Sequence, residues 1–385
     1  MPSRNLKQAK NNIKEIVRFV LKGFIAQVWS LVPRGFYLGK SPMRLLLATT
    51  RICNANCVFC AYQFAREEDK IHMPDQIFSL VLDQIRRANI KFVMLAPNVG
   101  EPLAAPQFIE KVKHLRAAGV KEVAVTTNAI LLYKIGLQKM LSDGPDVINI
   151  SFAGFDKEMY ERDFRAGHYE RTRENILKLL RMNKSLGSPK IINFRLRGDL
   201  SADKLLSAPE MDEVRLLASD VNIMTEVDSW LGLITEEILP AGYVLQSDSP
   251  KISGRPCSQL FDLTVHPDGN IHLCSCRNVF GDPDLDIGNI KEISLLEAHR
   301  KIPKVLSKWE SGNVPATCQT CSMYCDPALG LLGRWKEMRK WARALPAKEK
   351  IADEERIPGQ VSEVIGPPPQ NAPKSMKRWQ IKSFG

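Results

Sequence analysis

The chain has 385 residues, 44% hydrophobic and 25% charged, an ordinary make-up for a globular protein with room for one large domain and a smaller one. No run of eighteen uncharged apolar residues occurs, which excludes a transmembrane helix. The apolar run near the start is broken by Arg18 and Lys22 and lacks a small-residue cleavage site, so it does not read as a secretory signal. The net charge of +11 sits in the flanks: residues 1–40 carry eight Lys/Arg against Glu15 alone, and residues 336–385 carry eleven against six acids.

Residues 1–42 read as a basic amphipathic helix. Ile13, Ile16, Val17, Val20, Leu21, Phe24, Val28 and Leu31 recur at helical spacing, with Lys14, Glu15, Arg18 and Lys22 on the other side. Such a helix suits either the underside of a main domain or an anionic membrane surface, with Phe19, Phe24 and Trp29 as anchors. Pro33 and Gly35 are expected to end it.

From residue 43 to 249 a strand–helix alternation follows. Strand-like runs fall at 43–50, 91–98, 121–128, 147–154, 190–197 and 221–227, with helical patterns at 76–88, 107–118 and 169–186. Six strands alternating with helices predict an α/β fold of parallel βα units, and right-handed crossovers would curl them into an open barrel. Ligands in such sheets sit at the C-terminal strand ends. There the first strand runs into Cys53, Cys57 and Cys60, spaced C-x3-C-x2-C, with Phe59 before the last thiol. Three close thiolates suit three irons of a 4Fe–4S cluster and leave the fourth iron open to a small chelator. Zinc normally takes four ligands in two close pairs and fits this trio poorly; three inert buried thiols are the remaining reading.

After residue 250 the pattern changes. Asp262–His266 and Asn270–Cys274 flank Pro267, Asp268 and Gly269, a hairpin signal. Cys257, Cys274, Cys318 and Cys321 are spaced to hold a second metal centre in a small domain over 250–330, with structural zinc as the competing occupant. Cys276 and Cys325 are left over: Cys276 is an alternative ligand to Cys274, and both are otherwise buried free thiols. Residues 331–385 read as a basic helix followed by a Pro-rich tail. Nine cysteines, an odd number grouped at ligand spacing, point to a reducing cytoplasm rather than disulfides, with a peripheral membrane contact through the N-terminal helix.

The cysteine trio resembles the signature of the radical S-adenosylmethionine (SAM) superfamily, and later segments extend the likeness. Asn98-Val99-Gly100-Glu101-Pro102 resembles the family's Gly-Gly-Glu-Pro segment, with Val99 in place of the first glycine, which implies Gly100 and Glu101 as contacts of the SAM amino group. Asn128 ends the third strand. Ser151, in a segment resembling Ser-x-Asp-Gly, would bind the SAM ribose or carboxylate, and Arg165 would pair with that carboxylate. The pattern C-x11-G-x4-C over Cys257, Gly269 and Cys274 resembles the opening of SPASM and Twitch auxiliary-cluster domains. The shortage of later cysteines favours the single-cluster Twitch form.

The resemblance therefore implies a partial (β/α)6 barrel with a small C-terminal SPASM/Twitch-like iron–sulfur domain. It implies SAM, a SAM-binding 4Fe–4S cluster, a second auxiliary 4Fe–4S cluster and an external one-electron reductant of flavodoxin or ferredoxin type. A 5′-deoxyadenosyl radical would take a hydrogen from a substrate held at the barrel mouth. The expected reaction is oxidation or epimerisation of a sugar, aminocyclitol or glycan-type small molecule, with Cys276 or Cys325 as candidate hydrogen-atom donors. A peptide-modifying enzyme is the alternative, although about forty residues ahead of the first strand are short for a peptide-recognition domain. A non-catalytic zinc or iron–sulfur scaffold is the reading from another class. Nucleic acid is not an expected partner, because the basic residues are not interleaved with aromatics over a domain face.

Overall fold

The computed structural model describes residues 31–32, 34–95, 99–198, 205–224, 226–247, 251–274, 277–278 and 281–327. Of the helix expected over residues 1–42, the part up to residue 30 lies outside the described residues, and a short helix, Arg34–Leu38, stands near its end; Cys276 and the chain from residue 328 onward also lie outside them.

Six parallel strands form the centre: β1 Arg44–Leu47, β2 Phe92–Leu95, β3 Glu122–Thr127, β4 Val147–Ala153, β5 Ile191–Arg197 and β6 Asp220–Met224, each hydrogen-bonded to the next. They are the six runs expected from the sequence, trimmed at their ends. Past Leu47 the chain keeps one bond to its neighbour β9, Ala48 N–H to Val265 O (2.9 Å), and then leaves the sheet, where Thr49 O accepts from Met73 N–H (2.9 Å). The helices between the strands include α1 Asp75–Ala88, α2 Phe108–Ala117, α3 Lys157–Phe164, α4 Tyr169–Ser185 and α5 Glu210–Leu217. α1 shows why they pack: Ile77, Phe78, Val81, Leu82 and Ile85 return every three or four residues and are all buried.

The strands alternate with a common phase. Leu45 and Leu47, Val93 and Leu95, Val123 and Val125, Ile148 and Ile150, and Ile192, Phe194 and Leu196 are all fully buried. Burying each such side chain contributes about 1.5–3 kcal/mol. The alternate residues point the other way. Leu46, Met94, Thr126, Ser151, Arg195 and Met224, one from each strand, line a single interior cavity of about 570 Å³. One period-2 pattern thus builds the core on one side of the sheet and the cavity on the other.

The later chain joins the same sheet. A two-stranded pair, β7 Glu226–Val227 with β8 Val244–Leu245, precedes the hairpin of β9 Leu263–Val265 and β10 Asn270–Leu273, and β11 Asp286–Asn289 follows. β9 pairs in parallel with β1, β10 and β11 add antiparallel, and the order becomes β11-β10-β9-β1-β2-β3-β4-β5-β6. Gly269 closes the hairpin at φ +89°, where a Cβ would stand 2.9 Å from Asn289 Oδ1. α6, Leu295–Glu310, starts with a capping box in which Ser294 and Glu297 satisfy each other's backbone N–H, worth about 1 kcal/mol. No helix among the described residues is long and apolar enough to cross a membrane.

Candidate active site

The cysteine loop after β1 is tied down from two sides. Asn56 N–H donates to Phe164 O (3.1 Å) and Val58 N–H to Asp163 O (2.8 Å), fixing the loop to the end of α3. Phe59 is buried and sets its ring edge against Phe164, with centroids 5.4 Å apart. Tyr62 donates its hydroxyl to Cys53 O (3.2 Å), and its N–H reaches Cys60 Sγ (3.4 Å). Cys53, Cys57 and Cys60 all line the cavity.

Burial raises all three thiols: Cys53 to about 12, Cys57 well above its ordinary value, and Cys60 upward. After burial, the next cause is Glu101 for Cys53 and the Cys60 thiol for Cys57. As free anions these sulfurs would repel one another, and an electrophilic centre removes that penalty by taking the thiolates as ligands. Three thiolates leave one iron of a cubane open, whereas zinc takes four protein ligands in a closed structural site, so the trio fits a cluster better than structural zinc.

The loop after β2 packs directly on the cysteine loop. Gly100 has φ +117°, and a Cβ there would lie 2.9 Å from Thr50 O and 3.1 Å from Arg51 Cα, so only glycine fits. Glu101 N–H donates to Ile52 O (2.8 Å). The Glu101 carboxylate is buried and accepts from Leu103 N–H (3.1 Å), Thr127 Oγ1 (2.6 Å) and Asn128 N–H (2.8 Å). Burial outweighs these donors and pushes its pKa up to about 7. Asn128 donates its amide to Asn54 Oδ1 (2.9 Å), binding the end of β3 to the cysteine loop. Phe59, Gly100, Glu101, Asn128 and Ser151 all reach the cavity with the three thiols.

Arg165 does not. It follows α3 in a left-handed conformation (φ +46°), is exposed, and points its guanidinium to Gln63 Oε1 at 3.4 Å. Two of the cavity's cations come from β5, where Arg195 stands in register with Ser151 and Arg197 with Ala153. Arg197 lies 5.3 Å from the Phe59 ring centre, and its charge lowers the Cys57 and Cys60 thiols against the effect of burial. The signal for these two is present in the sequence: in Asn-Phe-Arg-Leu-Arg, residues 193–197, polar residues alternate with apolar ones.

The second thiol group is also assembled. Cys257, Cys274, Cys318 and Cys321 line one small cleft with Trp309 and Tyr324. Burial pushes Cys257 and Cys318 far above the ordinary thiol range and raises Cys321; the next cause for Cys318 is its thiol neighbours. Backbone N–H groups of Cys325 and Met323 donate to Cys257 Sγ and Cys321 Sγ, each at 3.3 Å. Four clustered sulfurs with N–H donors suit an iron–sulfur cluster, and four thiolates also suit zinc. Cys325 lies beside this cleft through its backbone, but the residue is exposed and its thiol lines neither cavity. Gln259, Arg277 and Met323 line both cavities, so the two thiol groups share a wall.

A mostly parallel, cavity-lined α/β barrel with a thiol trio after its first strand defines a class of cluster-bearing enzymes, and the comparisons with known proteins agree. Residues 47–192 match the family model described as Radical SAM superfamily, and the chain carries a Radical SAM superfamily domain. A probable GTP 3′,8-cyclase of Sulfurisphaera tokodaii is 30% identical over 123 residues, covering 32% of this chain and 38% of that protein. A probable GTP 3′,8-cyclase of Methanococcus maripaludis is 27% identical over 157 residues, covering 40% and 50%. The chain thus spans half or less of the length of these two relatives. Streptococcus suis SuiB bound to its precursor peptide SuiA superposes with a TM-score of 0.52 at 13% identity, over 84% of this chain and 77% of SuiB. At that identity the likeness is one of fold.

Proposed function

We propose that this protein is a radical SAM enzyme that oxidises or epimerises a hydroxyl-rich small molecule of the sugar, aminocyclitol or glycan type. The observation that carries the reading is the joining of Cys53, Cys57, Cys60, Gly100, Glu101 and Ser151 around one cavity. Cys53, Cys57 and Cys60 would hold a 4Fe–4S cluster, which with SAM would supply the radical chemistry for removing a hydrogen from substrate. Glu101 and the carbonyls beside Gly100 accept from the SAM ammonium, and Arg197 takes the carboxylate role first expected of Arg165, while Ser151, expected from the resemblance to contact SAM, is left to the substrate. Phe59 and Phe164 wall the cysteine loop from water. Cys257, Cys274, Cys318 and Cys321 hold an auxiliary cluster, and an external reductant supplies the first electron.

Polar groups of the lining support this substrate class. Thr126, Ser151, Arg195, Gln246 and Gln259 offer hydroxyl, amide and guanidinium groups, which suit a substrate rich in hydroxyls. The name borne by the curated relatives adds a phosphorylated sugar, as part of a nucleotide, to this class.

Anaerobic reconstitution tests the reading. The protein should be brown, hold roughly eight irons, and release 5′-deoxyadenosine and methionine from SAM under reduction. A colourless protein with stoichiometric zinc and no SAM cleavage would overturn it. With a turned-over substrate, loss of two hydrogens marks oxidation, whereas deuterium uptake from D2O without that loss marks epimerisation.

A further inference from the structure

Four arginines, Arg44, Arg195, Arg197 and Arg277, line the main cavity. Three are engaged. Arg44 donates from Nε to Asp262 Oδ2 (3.0 Å), a carboxylate that is itself buried. Arg277 is ion-paired with Asp228 and lies over the Trp230 ring at 3.9 Å. Arg197 stands by Phe59 and acts on the Cys57 and Cys60 thiols, which places its charge at the cysteine-loop end.

Arg195 differs. Its polar contact is Asn149 Oδ1 at 3.5 Å, the far limit of a hydrogen bond, and that oxygen already accepts from Asn193 Nδ2 at 3.0 Å. Among the described residues no carboxylate pairs with Arg195. Of the three acids that line the same cavity, Glu101 accepts three hydrogen bonds, Asp228 belongs to Arg277, and Glu226 is exposed and makes no ion pair with Arg195 among the described residues. Arg195 lies two positions before Arg197 on β5, so it sits about 6.6 Å further along the strand from the end that meets the cysteine loop. In register beside it on β4 is Ser151, a second donor.

A guanidinium that lines a cavity with no paired carboxylate among the described residues is a ready fork for an oxyanion. We propose that Arg195, with Ser151 beside it, is the anion subsite of the substrate pocket, and that the substrate carries a phosphate or carboxylate group. The radical SAM reading enters only in assigning the cysteine-loop end, with Arg197, to SAM. The anion is then seated one strand step deeper, and the sugar portion it anchors lies between Arg195 and the SAM end. Arg195 is a specificity-determining residue in this arrangement, and it leaves the cluster thiols untouched.

The test is calorimetric titration of the reconstituted, SAM-saturated protein with inorganic pyrophosphate, with malonate, and with neutral ribose, all without reductant. At least one anion should bind at a single saturable site at least tenfold more tightly than ribose, and which one binds identifies phosphate or carboxylate. Arg195→Met should reduce that affinity at least tenfold and Arg195→Lys should restore part of it, with SAM affinity and the cluster's electron paramagnetic resonance spectrum unchanged in both. No anion binding in the wild-type protein, or anion binding indifferent to Arg195→Met, overturns the proposal. Loss of SAM affinity with anion binding intact also overturns it and gives Arg195 to SAM. Failure of the radical SAM reading would show separately, as absence of the cluster spectrum and of SAM binding in the wild-type protein.

Discussion

Trp230 donates its indole N–H to the carbonyl oxygen of Phe59 at 2.9 Å, joining residues 171 positions apart and fixing the cysteine loop to the segment after β7. The same tryptophan lies under Arg277, and its backbone N–H donates to Asp228 Oδ1 (2.8 Å). Asp228 is ion-paired with Arg277 and also accepts from Ser322, the neighbour of Cys321. One buried carboxylate therefore braces both thiol groups. Asp228→Asn keeps the shape but leaves the Arg277 charge unpaired. Breaking a buried pair costs about 3–5 kcal/mol, well above the 0.5–1.5 kcal/mol of a neutral hydrogen bond. Chemical denaturation should show a loss of that order, and reconstitution should lower the iron content at both sites. A loss under 1 kcal/mol would mean that Asp228 is not the brace.

Gly100→Ala should be damaging out of proportion to one methyl group. The new Cβ would meet the backbone at Thr50 and Arg51, which cannot swing aside as a side chain can, and φ +117° is itself unfavourable for alanine. Backbone strain of this kind costs about 1–3 kcal/mol. Because Arg51 and Ile52 lead into Cys53, SAM affinity should fall further than stability does. Equal SAM affinity in wild type and variant would show that the loop adapts.

What could be read from the sequence follows the range of the forces involved. The strand order, the thiol trio after β1 and the role of Gly269 rest on local periodicity, spacing and turn chemistry, and all three appear in the fold. Arg165 rests on resemblance to the arginine that follows this strand in the family, but it ends α3 in a left-handed conformation and lies exposed, outside the cavity. Arg195 and Arg197 were hidden because a strand was recognised by its apolar half, while its inward half carries the chemistry. The Trp230–Asp228–Arg277 brace spans long sequence separations and has no local signature. The hairpin was legible, but its parallel pairing with β1 depends on the whole sheet.

Glu101 gives a pH prediction. Its folded pKa of about 7 lies above the ordinary 4.5, because burial disfavours the charged form. Its contribution to stability is therefore fully present below about 4.5, is lost as pH rises toward 7, and is constant above that, a change of roughly 3 kcal/mol. Glu101→Gln cannot ionise, so wild type should lose stability relative to it across that window in urea denaturation of the cluster-free protein. SAM binding should run the other way, since an ammonium group prefers the ionised carboxylate. Affinity should fall about tenfold from pH 8 to pH 6 in wild type, following the ionised fraction, and much less in Glu101→Gln. Parallel pH profiles for the two proteins would remove Glu101 from the SAM contact.

The two thiol groups should separate by mutation. Cys57 lines the main cavity between Cys53 and Cys60, whereas Cys321 lines only the second cleft. Cys57→Ala removes one of only three protein ligands available to the first cluster, so iron should drop from roughly eight to roughly four atoms per chain and 5′-deoxyadenosine should disappear. Cys321→Ala leaves the trio intact. Iron should fall similarly, but SAM should still be cleaved under reduction, now uncoupled from substrate turnover. The Asp228 brace limits how far that separation goes, because Ser322 adjoins Cys321 and reports to Trp230 through the same carboxylate. Uncoupled cleavage in Cys321→Ala should therefore be slower than wild-type cleavage without substrate, and Trp230 fluorescence should shift with it. If Cys321→Ala abolished SAM cleavage while keeping the trio's spectrum, the second thiol group would be part of the radical-generating step itself.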